Sequence, residues 1–444
     1  MKSLIISPLR KPMAGVVTVP GDKSISHRAL IFGAIAEGIT QITGLLEADD
    51  VMKTVEILKE LGVTITRQRP GQWRVKGVGL RGLRAPKKIL YCGNSGTTLR
   101  LMTGLLSGQP FQSVLTGDAS LNARPMGRVI EPLQRMGARI VEEKKNDLRL
   151  IRIKGSPLKG ISYTLPVASA QLKSAILLAG LCATGPTTVI EPTPSRDHTE
   201  RMLSAFGLSL KKEGKKTTLV AGQKLKGIRV LVPGDLSSAA FFVVASLLQS
   251  FKTKSLTIRG VGINPTRTGF LDVIKIMGGR IQLEKQKIVA GEPMADLKVF
   301  PSVLKGTAIR GALIPRLIDE IPILALAALM AKGETIIQDA AELRVKETDR
   351  IKAMATEFSR VIHPKAGGAL KELVDGLKIR GERRFKGRPV KSYGDHRIAM
   401  SLTIAGLLGE GIMRVQDTDC IGTSFPTFVP LLRRLTGSVR EIGD

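Results

Sequence analysis

The sequence predicts an α/β protein with two lobes, each containing three copies of one repeated unit. Its 444 residues exceed what a single hydrophobic core usually serves, so two lobes are expected. A hydrophobic content of 43% and 47 glycines favour a turn-rich α/β protein over a disordered chain. Two further observations define the repeats and the lobe boundaries: a recurring helix–glycine–strand pattern and a duplicated Val-Pro-Gly-Asp segment.

The recurring pattern is an apolar helical stretch, a glycine just past its last residue, and the apolar start of a strand. A glycine in this place usually forms the left-handed cap that ends a helix. Four clear copies and a weaker fifth have their glycines at Gly62, Gly137, Gly207, Gly278 and Gly437. Because the first four lie roughly 70–75 residues apart, the pattern indicates internal duplication. A sixth copy would end near Phe358, where the glycine is missing, so six units are predicted.

The two Val-Pro-Gly-Asp segments begin at Val19 and Val232, and each is followed by a serine and an apolar helix. We interpret them as places where the chain crosses between lobes, near 19–22 and 232–235. The first lobe is then 21–233, and the second lobe is 1–20 together with 234–444. Two crossings predict a hinge and a cleft between the lobes, where ligands commonly bind.

The first of these segments, VPGDKSISHR, contains the side chains of an anion site. Asp22 is placed to cap the helix that follows. Lys23, Ser24 and Arg28 add an ammonium, a hydroxyl and a guanidinium beside the free N–H groups of the helix start. The alternative is a solvated basic first turn. Since cations at a helix start oppose the helix dipole, their placement suggests that an external anion compensates them.

Two further stretches of the first half combine glycine, hydroxyl or guanidinium groups with a helix start. GNSGTTLR, which contains Gly96, predicts a turn that directs N–H groups at an oxyanion and opens a helix over 99–106. Arg124 directly precedes Pro125, and proline is favoured as the first residue of a helix. For the glycine-rich stretch, an ordinary tight turn is the alternative.

Later in the first half, PVASAQLKSAILLAG places Ser169, Gln171 and Lys173 at the head of a strongly apolar helix. Arg196 occupies a similar position in SRDHTERM. A capped core helix without function is the alternative for the first of these stretches.

The second half contributes carboxylates. Asp319 and Glu320 precede a nearly all-apolar helix, so at least one of them is expected at the mouth of a buried element. Burial of such a carboxyl group is expected to raise its pKa toward a range suited to proton transfer.

LRVKETDR brings charges of both signs together. Glu347 and Lys346 lie three and four residues before Arg350, which predicts a helical face with two cations and an acid. A solvated charge run is the alternative. Further on, Asp395, His396 and Arg397 open another apolar helix, and we interpret His396 as a capping or core-edge group rather than a base.

The net charge of +30 indicates anionic partners, and we favour small anions over nucleic acid. Only 4% of the residues are aromatic, which leaves few stacking platforms for single strands. Helix starts with basic or acidic groups in both halves suit substrates with several phosphates and carboxylates, and hence group transfer between two polyanions.

The three cysteines are far apart and fit neither a disulfide framework nor a metal site, so a reducing cytosol is expected. No spacing of His, Asp and Glu predicts a metal site. The longest apolar stretch, 321–331, is too short for a membrane span and contains a proline, so no membrane segment is predicted.

At these residues the sequence resembles the 5-enolpyruvylshikimate-3-phosphate (EPSP) synthase family. The motifs that carry the resemblance run in the family's order along essentially the whole chain: PGDKSISHR, GNSGTTLR, ASLNARPMGR, VASAQLKSA, LRVKETDR, GDHRIAMS and SFPTF. DKSISHR, RPMGR, ASAQLKSA and RDHTE together resemble its second class, bacterial forms often tolerant of glyphosate. The fold implied is the two-lobed enolpyruvyl transferase fold, with three βαβαββ units around parallel helices in each lobe and a cleft between the lobes.

The resemblance implies transfer of the enolpyruvyl group of phosphoenolpyruvate to the 5-hydroxyl of shikimate 3-phosphate, by addition and then elimination of phosphate. It implies a cytoplasmic monomer of aromatic amino-acid biosynthesis, with no cofactor, no metal and no nucleic-acid or membrane partner. The residues matched to shikimate 3-phosphate contacts are Lys23, Ser24, Arg28, Ser169, Gln171, Arg196, Asp319 and Lys346. Those matched to phosphoenolpyruvate contacts are Lys23, Gly96, Arg124, Gln171, Arg350 and Arg397. Asp319 would be the base at the 5-hydroxyl, and Glu347 and Lys23 would move the other protons.

Two positions depart from the family pattern. Thr423 stands where many members have a lysine that contacts phosphoenolpyruvate, although second-class members also lack it. Gly96 stands where some glyphosate-insensitive members have alanine, whose methyl would crowd the inhibitor. We therefore expect this chain to be less insensitive than those members.

Two other functions are consistent with part of the sequence. The sister enzyme that transfers enolpyruvyl to UDP-N-acetylglucosamine shares the fold and the Arg-Pro-Met sequence at Arg124, but 111–124 contains no match to its catalytic cysteine. A basic nucleic-acid-binding protein is favoured by the net charge alone.

Overall fold

Helices and strands alternate along the computed structural model, which describes residues 2–145, 148–251, 254–362, 369–381 and 384–443. The chain forms two units, each with its own hydrophobic core. The N-terminal unit consists of Gly21–Pro233 and Ile288–Glu292. The C-terminal unit consists of Met1–Pro20, Gly234–Lys287 and Pro293–Asp444. The segment Ile288–Glu292 therefore departs from the expected boundary, which placed all of 234–444 in one lobe. Its Glu292 Oε1 lies 2.8 Å from Nδ1 of His198 in the N-terminal unit.

The α-helices of the described residues, in chain order, are α1 (Lys23–Ile35), α2 (Asp49–Glu60), α3 (Gly96–Ser107), α4 (Ala119–Ala123), α5 (Gly127–Arg135), α6 (Ala170–Gly180), α7 (His198–Ala205), α8 (Leu236–Leu248), α9 (Gly269–Ile276), α10 (Ile314–Leu317), α11 (Ile321–Met330), α12 (Arg350–Val361), α13 (His396–Leu408) and α14 (Phe428–Thr436). Short 3-10 turns cover Gly311–Leu313, Ile318–Glu320, Ala341–Val345 and Thr418–Thr423.

The strands up to the second Val-Pro-Gly-Asp segment are β1 (Lys2–Ile6), β2 (Gly15–Thr18), β3 (Ile39–Thr43), β4 (Thr64–Arg69), β5 (Gln72–Lys76), β6 (Leu90–Tyr91), β7 (Gln112–Thr116), β8 (Arg139–Lys145), β9 (Leu148–Lys154), β10 (Leu158–Lys159), β11 (Ser162–Thr164), β12 (Ala183–Thr184), β13 (Thr187–Ile190), β14 (Leu210–Glu213), β15 (Lys216–Leu219) and β16 (Arg229–Leu231). Those after it are β17 (Leu256–Gly262), β18 (Arg280–Val289), β19 (Glu292–Phe300), β20 (Ala308–Ile309), β21 (Glu334–Ile337), β22 (Leu370–Leu373), β23 (Gly376–Arg380), β24 (Pro389–Lys391), β25 (Met413–Gln416) and β26 (Val439–Gly443).

In the part of the chain that the structure describes, six four-stranded sheets share one topology, three in each unit. Those of the N-terminal unit have the orders β16-β3-β5-β4, β6-β7-β9-β8 and β11-β13-β15-β14. Those of the C-terminal unit have the orders β2-β17-β19-β18, β20-β21-β23-β22 and β24-β25-β1-β26. In every sheet the first two strands are parallel and the second and third are antiparallel. This is the order that a βαβαββ unit produces, and it confirms the predicted sixfold repeat.

Three of these sheets are completed by strands that are distant in sequence. β16 supplies the first strand of the sheet that contains β3. In the C-terminal unit, β2 pairs in parallel with β17, and β1 lies between β25 and β26. The first twenty residues thus supply two strands that the remainder of the C-terminal unit lacks.

The five glycine caps predicted from the sequence are confirmed. Their φ angles are positive, from 70° to 97°, at Gly62, Gly137, Gly207, Gly278 and Gly437. A strand begins two or three residues after each. The sixth copy, predicted to end near Phe358, is not ended by a glycine: α12 ends at Val361, and Ile362 caps it with an extended backbone, φ −67° and ψ 142°.

Each unit is built around three helices that are buried on nearly all sides. These central helices are α1, α3 and α6 in the N-terminal unit, and α8, α11 and α13 in the C-terminal unit. Helix α11, for example, has the sequence IPILALAALM. A helix that is apolar on every side is stable only when all of its sides are buried. The polar groups of such a helix are confined to its ends.

Both Val-Pro-Gly-Asp segments are places of close backbone packing. Asp22 N donates to Pro233 O at 2.8 Å, and Asp235 N donates to Pro20 O at 2.9 Å. A Cβ at Gly21 would lie 1.9 Å from the carbonyl oxygen of Gly44, so only glycine fits there.

We expect Gly21→Ala to lower the free energy of unfolding by about 1–3 kcal/mol, because the methyl would displace the backbone of Gly44. The matched control is Gly127→Ala at the first residue of α5, where no atom lies within 4 Å of an added Cβ. Urea unfolding followed by circular dichroism measures both, and equal midpoints for the two variants would contradict this account.

Candidate active site

The sequence-predicted site residues lie at or near the starts of the central helices, in both units. In the N-terminal unit they are Lys23, Ser24, Arg28, Gly96, Arg124, Ser169, Gln171 and Arg196. In the C-terminal unit they are Asp319, Lys346, Glu347, Arg350 and Arg397. The first group is called the N-terminal cluster and the second the C-terminal cluster.

The start of α1 has the predicted cap. Asp22 Oδ1 accepts a hydrogen bond from Ile25 N at 2.9 Å. Lys23 follows as the first helical residue, and its Nζ donates to Asp50 Oδ2 at 2.9 Å. The Lys23 side chain remains 20% exposed, so its ammonium is oriented by Asp50 and still accessible to a ligand.

Arg28 is almost fully buried at the next turn of α1. Its Nε donates to Thr199 Oγ1 at 2.7 Å, its Nη2 to Ser174 Oγ at 2.7 Å, and its Nη1 to Ser24 O at 2.9 Å. These contacts tie α1 to α6 and α7. Burial lowers the pKa of Arg28 to about 10, because desolvation disfavours the guanidinium charge.

Helix α3 begins at Gly96, three residues earlier than predicted, and Ser95 caps it by accepting from Thr98 N at 3.2 Å. Arg124 Nη2 donates to Asn94 Oδ1 at 2.6 Å, just before this helix start. An added Cβ at Gly96 would lie 3.5 Å from Arg124 Nη1. The guanidinium and the free N–H groups of α3 are therefore neighbours.

The local structure predicted for Arg124 is wrong. Pro125 is not the first residue of a helix, because α5 begins at Gly127 with Met126 as its N-cap residue. Arg124 is instead the C-terminal cap residue of α4, a five-residue helix that the sequence pattern did not indicate. The extended backbone expected of a residue before proline is present, with φ −80° and ψ 137°.

Helix α6 starts beside α3. Ser169 caps it, and its Oγ accepts from Leu172 N at 3.3 Å. Gln171 Oε1 accepts from Arg100 Nη1 at 2.6 Å, and Gln171 Nε2 donates to Thr97 Oγ1 at 3.0 Å. Side chains of α3 thus fix the amide, which would otherwise be free to rotate. Arg196 lies two residues before α7, and its charge lowers the pKa of Arg28 slightly.

The C-terminal cluster centres on Arg350, whose side chain is 1% exposed. Its Nε donates to Asp395 Oδ2 at 2.7 Å, and its Nη2 donates to Glu347 Oε2 at 2.6 Å. Its Nη1 lies 3.6 Å from Asp319 Oδ1 and has no hydrogen-bond partner among the described residues. Burial alone would lower the pKa of Arg350, but the three carboxylates outweigh it and raise the pKa above its ordinary value.

The helical face predicted for Lys346, Glu347 and Arg350 is wrong. Helix α12 begins at Arg350 itself, capped by Asp349, whereas Lys346 caps the 3-10 turn Ala341–Val345. The ion pair between Glu347 and Arg350 nevertheless forms, because the turn that precedes α12 brings the carboxylate back to the guanidinium. Burial lowers the pKa of Lys346, and the nearby Asp319 carboxylate opposes that shift.

Asp319 and Glu320 lie on the 3-10 turn that leads into α11. The Asp319 side chain is 16% exposed, whereas that of Glu320 is fully buried. Arg397, on the first turn of α13, donates from Nη1 to the Asp319 carbonyl oxygen at 2.9 Å. Asp395 caps α13, accepting from the Arg397 and Ile398 N–H groups at 2.8 and 3.3 Å, and His396 is the buried first residue of the helix.

The two clusters have different charge. The N-terminal cluster combines Lys23, Arg28, Arg124 and Arg196 with the partner carboxylate of Asp50. In the C-terminal cluster, cations and carboxylates alternate within hydrogen-bond or ion-pair distance. The first is suited to holding phosphate or carboxylate, and the second to moving protons beside an anion.

The sequence did not predict several polar residues that contact the members of these clusters. Asp50 orients Lys23, Asn94 orients Arg124, and Arg100 orients Gln171. Asp50 follows Asp49 at the start of α2, where acidic residues commonly stabilise a helix through its dipole. The sequence therefore did not indicate that Asp50 contacts Lys23. Thr423, at the place of the missing lysine, ends a 3-10 turn, and its Oγ1 donates to Cys420 O at 2.7 Å.

In the described ranges, none of the helices has the length and apolarity needed to cross a membrane. Within the same residues no three His, Cys, Asp or Glu side chains are grouped as metal ligands.

The chain is similar to known proteins over its whole length. The model of the family described as EPSP synthase (3-phosphoshikimate 1-carboxyvinyltransferase) matches residues 9–432. A 3-phosphoshikimate 1-carboxyvinyltransferase from Geobacter sulfurreducens is 49% identical, with 98% of this chain and 99% of the relative covered. One from Bacillus cereus is 50% identical, with 98% and 100% covered. A solved EPSP synthase from Acinetobacter baumannii has 45% identity and a TM-score of 0.88, with both chains covered completely.

We expect Arg350→Met to destabilise the protein by about 3–5 kcal/mol, because it leaves three carboxylates without their buried cation. Arg384→Met is the matched control, since its pair with Glu410 is solvent-exposed and should contribute less than about 1 kcal/mol. Urea midpoints measure both variants. A loss at Arg350 no larger than that at Arg384 would show that the cluster does not depend on this guanidinium.

Proposed function

The chain belongs to the EPSP synthase family, and from this premise we propose that it transfers the enolpyruvyl group of phosphoenolpyruvate to the 5-hydroxyl of shikimate 3-phosphate. The products are 5-enolpyruvylshikimate 3-phosphate and phosphate, on the route to the aromatic amino acids. The observation that carries the proposal is the match of the family model to residues 9–432. The cations, hydroxyls and carboxylates at or near the starts of the central helices support it.

We assign shikimate 3-phosphate to the N-terminal cluster and to two residues of the C-terminal cluster. The contacts proposed are Lys23, Ser24, Arg28, Ser169, Gln171, Arg196, Asp319 and Lys346. The helix starts of α1 and α6 support this assignment, because free N–H groups, hydroxyls and cations at one place favour a phosphate. Burial lowers the pKa of Lys346, and a bound dianion would raise it again, because a nearby anion favours the ammonium form.

Phosphoenolpyruvate is assigned to Lys23, Gly96, Arg124, Gln171, Arg350 and Arg397. Three of these are guanidinium groups, which bind carboxylate and phosphate through paired N–H donors. Arg350 supports the assignment most directly, since its Nη1 is buried and makes no hydrogen bond within the described chain. A substrate oxygen would supply that partner.

The proposed reaction has two steps. In the addition, the 5-hydroxyl oxygen bonds to C2 of phosphoenolpyruvate, Asp319 takes the hydroxyl proton, and a proton from Glu347 or Lys23 converts the C3 methylene to a methyl group. In the elimination, the bond between C2 and the phosphate oxygen breaks, phosphate leaves with the electron pair, and a methyl proton returns to the protein. The proton that enters at C3 is matched by one that returns to the protein, and the hydroxyl proton taken up by Asp319 leaves with the phosphate, so the enzyme ends as it began.

We further propose that the protein acts as a cytoplasmic monomer on these two small molecules, without cofactor, metal or nucleic-acid partner. The family match does not favour UDP-N-acetylglucosamine as acceptor or binding to nucleic acid. Release of phosphate from phosphoenolpyruvate in a coupled assay, with each acceptor in turn, distinguishes the first two functions. Salt-dependent binding to duplex DNA without turnover would support the third.

We expect Asp319→Asn and Lys23→Met each to lower kcat by about 10²–10⁴-fold, because each removes a group that moves a proton. The rate of phosphate release at saturating substrates is the measurement. Circular dichroism serves as the check that the fold is retained. Unchanged kcat in either variant would refute the role given to that residue, whereas no turnover by the unmodified chain would refute the proposed function.

We expect the unmodified chain to be inhibited by glyphosate more strongly than family members with alanine at the position of Gly96. In this chain an alanine Cβ would lie 2.8 Å from Arg100 Nη1 and 3.5 Å from Arg124 Nη1, within the space assigned to phosphoenolpyruvate. Gly96→Ala should therefore raise both the glyphosate concentration for half inhibition and the KM for phosphoenolpyruvate. Full activity of the unmodified chain in millimolar glyphosate would contradict the expectation.

A further inference from the structure

The second Val-Pro-Gly-Asp segment is built like the first but is used differently. In both, an aspartate caps a central helix: Asp22 on α1, and Asp235 on α8, where Oδ1 accepts from Ser237 N at 2.8 Å. The first turn of α1 contains Lys23 and a partly exposed serine. The first turn of α8 contains Leu236, Ser237 and Ser238, and all three are buried.

A carboxylate of the protein itself, that of Glu320, contacts the first turn of α8. Ser237 Oγ donates a short hydrogen bond to Glu320 Oε1. Arg267 Nη1 lies 2.9 and 2.8 Å from the two oxygens of the same carboxylate, and Arg267 Nη2 also contacts Ser237 Oγ. Arg267 Nη2 is 3.6 Å from Asp235 Oδ1, so the guanidinium bridges the cap and Glu320. We call Ser237, Arg267 and Glu320 the α8 cluster.

The α8 cluster is fully enclosed. The side chains of Arg267 and Glu320 are 5% and 0% exposed. A buried carboxylate with this many partners is held in one position, because moving it would leave its own charge and that of the arginine unpaired.

Glu320 is the residue directly after Asp319, and both belong to one 3-10 turn, Ile318–Glu320. Fixing the Glu320 side chain therefore fixes the turn that presents the Asp319 carboxylate. A second link runs through Arg397, whose Nη1 donates to the Asp319 carbonyl oxygen and lies 3.9 Å from Glu320 Oε1. The backbone of the turn is thus held from α8, from the segment before α9, and from α13.

We infer that Arg267 and Glu320 are positioning residues for the reaction, holding Asp319 at the distance from the 5-hydroxyl that proton transfer requires. The inference rests on the proposed function, in which Asp319 is the base. Neither residue is assigned a substrate contact. A displacement of about 1 Å at a reacting group lowers a rate by up to roughly 10²-fold, which sets the scale of the effect.

The test compares two buried glutamates of the C-terminal unit. Glu320→Gln keeps the shape of the side chain and removes the charge that Arg267 binds. Glu357→Gln is the matched control: Glu357 is also 0% exposed, is paired with Arg360, and lies outside the residues assigned to substrates. Steady-state kinetics by phosphate release, at a temperature well below the unfolding midpoint of both variants, gives kcat and both KM values.

We expect Glu320→Gln to lower kcat roughly tenfold or more, with KM for shikimate 3-phosphate unchanged within about twofold. Glu357→Gln should keep kcat within about twofold of the unmodified chain. Arg267→Lys, which keeps the charge and loses the paired N–H donors, should give a kcat between those of the unmodified chain and Arg267→Met. A purely structural role would change the unfolding midpoints but would not produce this order in kcat.

Ser237→Ala is the alternative if Glu320→Gln does not fold. It removes one hydrogen bond to the Glu320 carboxylate and leaves Arg267 in place. We expect Ser237→Ala to lower kcat several-fold. Equal kcat values for the unmodified chain, Ser237→Ala and Arg267→Lys would overturn the inference. A loss of kcat in Glu357→Gln as large as that in Glu320→Gln would overturn it as well. An unmodified chain that releases no phosphate would instead count against the proposed function.

Discussion

The structure depends on one constraint, the complete burial of the central helices. Because α1, α3, α6, α8, α11 and α13 have almost no solvent-facing side, the polar groups of each helix are confined to its ends. At the N-terminal end, free N–H groups and the helix dipole create a positive potential that has to be satisfied. Asp22, Ser95, Ser169, Asp235 and Asp395 satisfy part of it as caps. The remaining N–H groups favour further anions, so the same burial that stabilises the core creates places that are suited to polyanionic ligands.

The two units use these helix starts for different chemistry. In the N-terminal unit, neighbouring side chains orient Lys23, Arg124 and Gln171. Asp50 contacts Lys23, Asn94 and Ser120 contact Arg124, and Arg100 and Thr97 contact Gln171. An ammonium that is oriented by one carboxylate, as in Lys23, can donate further hydrogen bonds to a ligand. In the C-terminal unit, Arg350 contacts three carboxylates, which neutralise its charge and hold it rigidly. An excess of positive charge favours binding, whereas paired acids and bases favour proton transfer, and the proposed reaction needs both.

The sequence predicted the repeat and most of the residues at the helix starts, because both depend on local patterns. Glycine caps such as Gly62 have a fixed place relative to one helix, and Asp22 caps the helix that it precedes. It did not predict relations between distant segments. The pairing of β16 with β3, the contact of Asp50 with Lys23, and the two-residue shift of α5 away from Pro125 all depend on tertiary packing. For the same reason the Glu347–Arg350 ion pair was predicted on a helical face and forms across a turn instead.

The duplicated Val-Pro-Gly-Asp segment shows why sequence similarity between repeats does not imply the same function. Both copies produce a capped, buried helix start, whose first N–H groups have no partner within the helix itself. In α1 the cations and hydroxyls around that start are partly exposed, and an anion from solution can reach them. In α8 the same potential is satisfied by Glu320, which Arg267 neutralises within the core. Once an internal carboxylate occupies the start of a helix, that helix no longer binds a ligand, but it fixes the chain segment to which the carboxylate belongs. Because that segment includes Asp319, a helix start to which no substrate contact is assigned can still determine where the proposed catalytic base lies.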